Sequence, residues 1–325
     1  MRAAVHDRYG PPEVVRIEDV PRPETGDGDL LVRVHATTVN RTDCAYRAAY
    51  PFFVRSFTGL ARPRRRVLGT EYAGVVEEVG ASVTGFSPGD RVFGYNEGAF
   101  GAHAEYLAVP ASGMVAQIPE GVPFATAACA TEGAHYALSA ARWLRVVAGD
   151  RVFVHGATGA IGSAAVQLLK ALGAEVTATA PTAHVDTVRG LGADRVVDFE
   201  AGDFTAGGQT YDVVLDAVGK STYGECRRLL TPTGRFASSD VGPYWQNTAL
   251  ALTTPWLPGR TVRFPVPSQD QEMVRWFADL LATGGFRPLV DRHYPLERIV
   301  EAYEFVETGR KVGNVVIDVV EPGTG

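Results

Sequence analysis

Between positions 152 and 162 the chain reads Val-Phe-Val-His-Gly-Ala-Thr-Gly-Ala-Ile-Gly, and this run limits the possible fold more than any other. A β-branched, aromatic stretch at 151–154 enters it, and a pattern with helical spacing at 161–172 leaves it and stops at Gly173. Glycines fall at 156, 159 and 162. Without a Cβ, the backbone can turn sharply there and come close to an anion, and the helix that follows offers free N–H groups and the positive end of its dipole. Strand, glycine turn and helix in that order predict a dinucleotide site in which Gly156, Thr158, Gly159, Ala160, Ile161 and Gly162 cradle a pyrophosphate.

The flanking pattern agrees. After the loop, apolar strand-like runs at 175–179, 195–198, 213–215 and 234–237 alternate with helical patterns at 185–191 and 221–230. Such alternation predicts a parallel sheet covered on both faces, a Rossmann doubly wound domain. Ahead of it, an Ala-rich stretch at 124–144 reads as helix, and short β-like runs at 30–34, 73–79, 91–93 and 104–109 lie between Gly, Pro and Asp. Residues 47–66 have no clean period and read as a long loop or lid with at most one helical turn. Strand, helix, strand and helix patterns near 261–264, 270–283, 290–294 and 296–307 lead to a final strand at 314–319. The whole is α/β, with a mainly β domain beside the Rossmann domain.

Bulk properties exclude several classes. The formal net charge of -6 argues against nucleic acid as partner, since backbone binding needs clustered cations. The short cluster Arg62, Arg64, Arg65 and Arg66 reads as a solvated loop. Cys44, Cys129 and Cys226 are widely spaced and form no CxxC pair, so neither a disulfide framework nor a cysteine zinc site is indicated. With a polar N-terminus and no long apolar run, the expectation is a soluble cytoplasmic protein without a membrane span.

NAD sites commonly end the second strand on Asp or Glu, which holds the ribose hydroxyls. Here the strand runs into Thr179, Ala180, Pro181 and Thr182, with no carboxylate at its tip. That leaves room for a 2′-phosphate and favours NADPH, with Thr179, Thr182, His184 and Arg189 as candidate partners. The alternative is that Thr182 and His184 only cap the next helix.

Six motifs in order resemble the medium-chain dehydrogenase/reductase superfamily, in particular its zinc-independent quinone oxidoreductase and enoyl reductase branch. They are Val39 to Asp43, Leu68 to Val76, Gly89 to Val92, the glycine loop, Tyr211 to Gly219 and Gly309 to Val316. The resemblance implies a GroES-like β-barrel catalytic domain over 1–123, a Rossmann domain over 124–265 and a return segment over 266–325 that completes the first domain. It also implies a substrate cleft at their junction and a homodimer joined through sheet edges near 261–264. Zinc ligands of the metal-dependent relatives would fall near Asn40, Thr70 and Ala128, none of them Cys or His, so no catalytic zinc is expected. Close relatives often carry Ser and Arg where this chain has Pro181 and Ala183, a departure that bears on cofactor choice.

The implied chemistry is hydride transfer from NADPH to a small quinone or α,β-unsaturated carbonyl substrate. By motif position Asn40, Asp43 and Tyr46 face the cleft. Asn40 is the candidate donor to substrate oxygen, Asp43 an orienting group and Tyr46 the proton donor, because a phenol stays protonated at neutral pH. Asn40 and Asp43 serve equally well for turn chemistry, and Tyr46 for packing. Thr131, Ala217, Val218, Lys311 and Asn314 are expected at the cofactor. Tyr50, Phe52, Phe53, Tyr244 and Trp245 are candidates to line an apolar substrate pocket. A biosynthetic tailoring enoyl reductase or cyclase on the same scaffold, or a non-catalytic NADPH-binding protein of crystallin type, fits the sequence as well.

Overall fold

A computed structural model describes residues 1–320, apart from the side chain of Phe53. The chain divides into two compact units, one of residues 1–132, 269–284 and 289 onward, the other of 133–268 and 285–288.

The first unit is built on the long strand Asp29–Val39, whose alternating Leu30, Val32 and Val34 are fully buried. It pairs antiparallel with Glu71–Val79, Tyr106–Pro110 and the late strand Asn314–Asp318. Arg91–Tyr95 and Met114–Gln117 extend the sheet on one side and Val290–Pro295 on the other. Val315 sits opposite Val39, so the last strand completes a sheet begun in the first forty residues. Tyr72, Val92, Tyr303 and Ile317 fill the core against this strand. This is the GroES-like arrangement.

The second unit carries a six-stranded parallel sheet in the order Arg195–Asp198, Glu175–Ala180, Arg151–His155, Tyr211–Asp216, Leu230–Ser238 and Thr261–Arg263. Numbered along the chain, that is 3-2-1-4-5-6, the doubly wound Rossmann order. Val152, Val154, Val176, Val213 and Val214 are fully buried, as expected of strands covered on both faces. The helix Ala160–Ala171 buries Ala164, Val166, Leu168 and Leu169. Because Arg151–His155 lies between the second and fourth strands, the glycine loop leaves the sheet where the winding reverses, which is where ligands bind in open α/β sheets.

Three segments differ from the sequence reading. The expected helix over 124–144 is two helices, Phe124–Ala128 and Glu132–Trp143. The break has a physical cause: the Glu71 carboxylate accepts the backbone N–H groups of Thr131 (3.2 Å) and Glu132 (2.6 Å), so a new helix starts there. The helix expected over 221–230 shrinks to Tyr223–Cys226, started by a Thr222–Glu225 capping box and followed by a 3-10 turn. Residues 47–66 hold a 3-10 turn, Phe52–Val54, and one helical turn, Arg55–Thr58. No helix among the described residues is long and apolar enough to cross a membrane.

Candidate active site

The glycine loop is shaped by contacts that admit no side chain. A Cβ on Gly162 would lie 2.1 Å from the Gly156 carbonyl oxygen, and one on Gly156, whose φ is +83°, would lie 2.4 Å from Val218. Gly159 is different: the nearest atoms to a Cβ there are 3.7 Å away, so this position is open. Gly159 is also the N-cap of the helix Ala160–Ala171, and no side chain caps that helix. Thr158, Gly159 and Ile161 are partly exposed while Gly156 and Ala160 are buried. A loop that packs tightly beneath and opens at an uncapped helix start fits a pyrophosphate bridge.

Thr179 is fully buried, and its hydroxyl oxygen accepts the Gly156 N–H at 2.9 Å and lies 2.9 Å from His155 Nδ1. It anchors the loop from beneath. Its hydroxyl is therefore engaged by the loop itself, where the sequence reading had it as a phosphate partner. Exposed Thr182 donates its hydroxyl to Asp198 (2.7 Å) and its backbone N–H to Glu200 (3.0 Å). The turn after the strand is thus met by two carboxylates, one ending the strand Arg195–Asp198 and one just beyond it. His184 ends the 3-10 turn Thr182–His184, half exposed, and Arg189 is paired with Asp186. Asp216 is buried, and its carboxylate accepts the N–H groups of Val218, Gly219 and Ser221, which sets the turn that holds Ala217 and Val218. Tyr244 is wholly exposed and Trp245 half exposed, both at left-handed φ.

In the first unit the candidate residues separate by how their polar atoms are used. Asn40 caps the helix Arg41–Ala48: its carbonyl accepts the Asp43 N–H at 2.9 Å, and its amide donates to the Thr70 hydroxyl at 2.8 Å. The Asp43 carboxylate accepts the Asn40 and Gly69 N–H groups, both at 3.1 Å. Burial pushes its pKa well up against those bonds. Both side chains are buried and engaged, so their observed work is turn and capping chemistry. Thr131 is fully buried and donates its hydroxyl to Glu71 at 2.8 Å, while Glu71 also accepts from the Thr38 hydroxyl at 2.6 Å. Lys311 reaches the Gly313 carbonyl, its pKa lowered by burial although Glu132 and Glu71 counteract this, and Asn314 donates to the Leu289 carbonyl at 2.9 Å. Tyr50 and Phe52 are largely exposed; the Phe53 side chain lies outside the described residues.

Tyr46 remains. Its ring packs on Phe100 with centroids 4.6 Å apart, and its hydroxyl points to Glu97 at 3.5 Å, a long hydrogen bond. Glu97 also accepts from Tyr95 and from Gln269, each at 3.2 Å. Burial, then the Glu97 charge, push the Tyr46 pKa up to about 12. Burial also raises Glu97, although its three donors oppose this. Sequence reasoning missed Glu97; its only signal is an acid in the turn after a buried strand.

The alcohol dehydrogenase GroES-like domain family matches residues 26–120, and the zinc-binding dehydrogenase family matches 191–317. The chain is 31% identical, over 98% of its length and 79% of the relative, to 2-methylene-furan-3-one reductase of Solanum lycopersicum. It belongs to the medium-chain dehydrogenase/reductase superfamily, in the quinone and enoyl reductase branch. It is also 30% identical to the chloroplastic NADPH-dependent alkenal/one oxidoreductase of Arabidopsis thaliana, covering 98% of this chain and 79% of that one. The structure of the quinone oxidoreductase from Coxiella burnetii superposes with a TM-score of 0.87 at 26% identity, covering 98% of this chain and 99% of that one.

The positions that the resemblance sets against the zinc ligands of metal-dependent relatives are Asn40, Thr70 and Ala128. Asn40 offers an amide already bonded to Thr70, and Ala128 is a buried methyl group. Among the described residues no group of three His, Cys, Asp or Glu side chains stands close enough to hold a metal.

Gly162→Val should abolish nicotinamide-dinucleotide binding, because the added side chain must displace the Gly156 backbone. Calorimetry checks this, and a variant that keeps native affinity would show that the loop is not the cradle.

Proposed function

We propose that this chain is a zinc-independent reductase that uses NADPH to reduce a quinone or an α,β-unsaturated carbonyl compound. The observation that carries the reading is the open Gly159 position at the start of an uncapped helix, at the switch point of a 3-2-1-4-5-6 sheet. Relatives named as a furanone reductase and an alkenal/one oxidoreductase support it.

When bound, NADPH supplies a hydride, which reaches the β-carbon of an enone or a quinone carbon. The chain's own groups handle what is left: charge on the carbonyl oxygen and a proton for the α-carbon. Tyr46 Oη is the proton donor in this reading. Among the candidates on the helix Arg41–Ala48 its polar atom is the one held by a single long hydrogen bond, and its raised pKa keeps it protonated at any working pH. The Glu97 carboxylate accepts the phenol's hydrogen bond and holds the ring with its hydroxyl oriented. Asn40 and Asp43 act one step back, fixing the helix that carries Tyr46.

Tyr46→Phe should cut enone turnover by about a hundredfold, the usual size of a lost general acid. Undiminished turnover would remove the residue from the reaction. In Glu97→Gln, two of the causes that raise the phenol pKa vanish, so Tyr46 ionises at lower pH. Its tyrosinate absorbance and the alkaline limb of the turnover profile should both move down from about 12.

Preference for NADPH is supported by the absence of an acid on the tip of Glu175–Ala180 and by His184 nearby, while Asp198 and Glu200 are already engaged by Thr182. Separate titrations should give tighter binding of NADPH than of NADH; the reverse order would assign Asp198 and Glu200 to the ribose hydroxyls.

A homodimer formed through the edge strand Thr261–Arg263 completes the proposal. That strand pairs on one side only, and Leu252, Trp256 and Leu257 leave large apolar surface exposed nearby in the chain. Light scattering should return twice the chain mass, and a monomer at micromolar concentration would overturn the assignment.

A further inference from the structure

His155 ends the strand Arg151–His155 and is buried, yet nothing in the proposed reaction uses it. The register of the parallel sheet sets it between two polar neighbours. Asp216 is its partner on the strand Tyr211–Asp216, and Thr179 lies on the other side, one step beyond the Val154–Ala178 pair. Each neighbour holds a turn. Thr179 accepts the Gly156 N–H, and Asp216 accepts those of Val218, Gly219 and Ser221. His155 reaches both turns as well: its Nδ1 lies 2.9 Å from the Thr179 hydroxyl oxygen, and its carbonyl accepts the Ala217 N–H at 3.0 Å. Its ring stacks on Phe204, with centroids 4.5 Å and planes 16° apart, and Phe204 stacks in turn on Phe153.

Counting hydrogens assigns the bond between ring and hydroxyl. The Thr179 hydroxyl has one hydrogen and two lone pairs, and Gly156 takes one of the lone pairs. Among the described residues, His155 Nδ1 is the only acceptor within reach of that hydrogen. A ring protonated at Nδ1 would donate to the same oxygen and leave the buried hydroxyl hydrogen with no acceptor, which is costly. We propose that His155 is a positioning residue for the glycine loop: bare at Nδ1 and protonated at Nε2, it takes the Thr179 hydrogen and so turns the Thr179 oxygen toward the Gly156 amide. The stack on Phe204 holds the ring in the plane this bond requires.

Burial lowers the His155 pKa against the charges of Asp216 and Glu225, with Lys220 acting in the same sense as burial. The neutral ring is therefore the form present at neutral pH. As pH falls through that lowered value, below about 6.5, Nδ1 gains a proton and the Thr179 hydroxyl loses its acceptor. Cofactor affinity should then fall with it, a consequence that rests on the dinucleotide reading of the loop; the brace itself does not.

The brace is tested in the free protein by nitrogen NMR of the imidazole at neutral pH and by hydrogen exchange of the Gly156 amide. The expected result is an unprotonated Nδ1 and a slow amide. His155→Phe keeps an aromatic ring against Phe204 but removes the acceptor, so the amide should exchange at least about tenfold faster. His155→Asn places an amide oxygen where Nδ1 stood and should restore slow exchange. Calorimetry with NADH carries the test to the cofactor, because NADH lacks the 2′-phosphate, whose own proton titrates at about pH 6. Wild-type affinity should fall as pH is lowered through the histidine range. His155→Phe should bind about tenfold more weakly at neutral pH and lose that fall, and His155→Asn should recover the affinity without the fall. A ring protonated at Nδ1, equal Gly156 exchange in wild type and His155→Phe, or an acid fall that survives in His155→Phe would overturn the proposal. The tautomer is read in wild type, so it decides even where a variant fails to fold. If wild type bound neither NADH nor NADPH, the dinucleotide reading would fail, while the tautomer and the Gly156 exchange would still decide the brace.

Discussion

The approach of the Gly162 α-carbon to the Gly156 carbonyl fixes the geometry on which the cofactor unit depends. With a Cβ at 162 only 2.1 Å from that oxygen, the helix Ala160–Ala171 can lie this close to the strand Arg151–His155 only if residue 162 has no side chain. Closeness brings the helix start, and with it the unpaired amides of the first turn, to the end of the central strand. Thr179 holds the other side of the turn, accepting the Gly156 N–H from the neighbouring strand. The loop is therefore braced by two strands and one helix, and of its three glycines Gly159 is the one with open space beside it.

The first unit has a comparable fixed point in Glu71. Its two oxygens accept four donors, the hydroxyls of Thr38 and Thr131 and the backbone amides of Thr131 and Glu132. A fully buried carboxylate is tolerated only when its lone pairs are used in this way, because an unmet charge in the interior costs several kcal/mol. Burial nonetheless raises its pKa, so desolvation outweighs the four bonds. What the fold gains is orientation: the start of the helix Glu132–Trp143 is held by a side chain sixty positions earlier in the chain.

That separation explains what could and could not be read from the sequence. The glycine loop was legible because turn, anion site and helix start lie within eleven consecutive residues. The alternation that follows it was legible for the same reason, each strand carrying its own β-branched run. The break at 129–131 was not, since an Ala-rich stretch has helical propensity throughout and the interrupting carboxylate comes from a distant strand. The loop contact of Thr179 was hidden for a related reason. A threonine at a strand tip looks free until the neighbouring strand is set in register beside it, and its hydroxyl turns out to face the Gly156 amide. Glu97 gave only the weak signal of an acid just after a strand, because its partners Tyr46, Tyr95 and Gln269 meet in space.

The same accounting of polar atoms narrows the chemistry. On and around the helix Arg41–Ala48, Asn40 and Asp43 close a capping box on each other and reach out to Thr70 and Gly69. Arg47 is drawn inward to Glu307. Groups engaged at this level cannot leave to serve a substrate without exposing buried partners, at about 1–3 kcal/mol for each bond broken. In the proposed reading Tyr46 gives up one long hydrogen bond, 3.5 Å to a carboxylate that Tyr95 and Gln269 also satisfy. Ring packing on Phe100 fixes its position and the hydroxyl is held by that long bond, which is why it is the residue proposed as proton donor. The residues beside it are what make that position rigid.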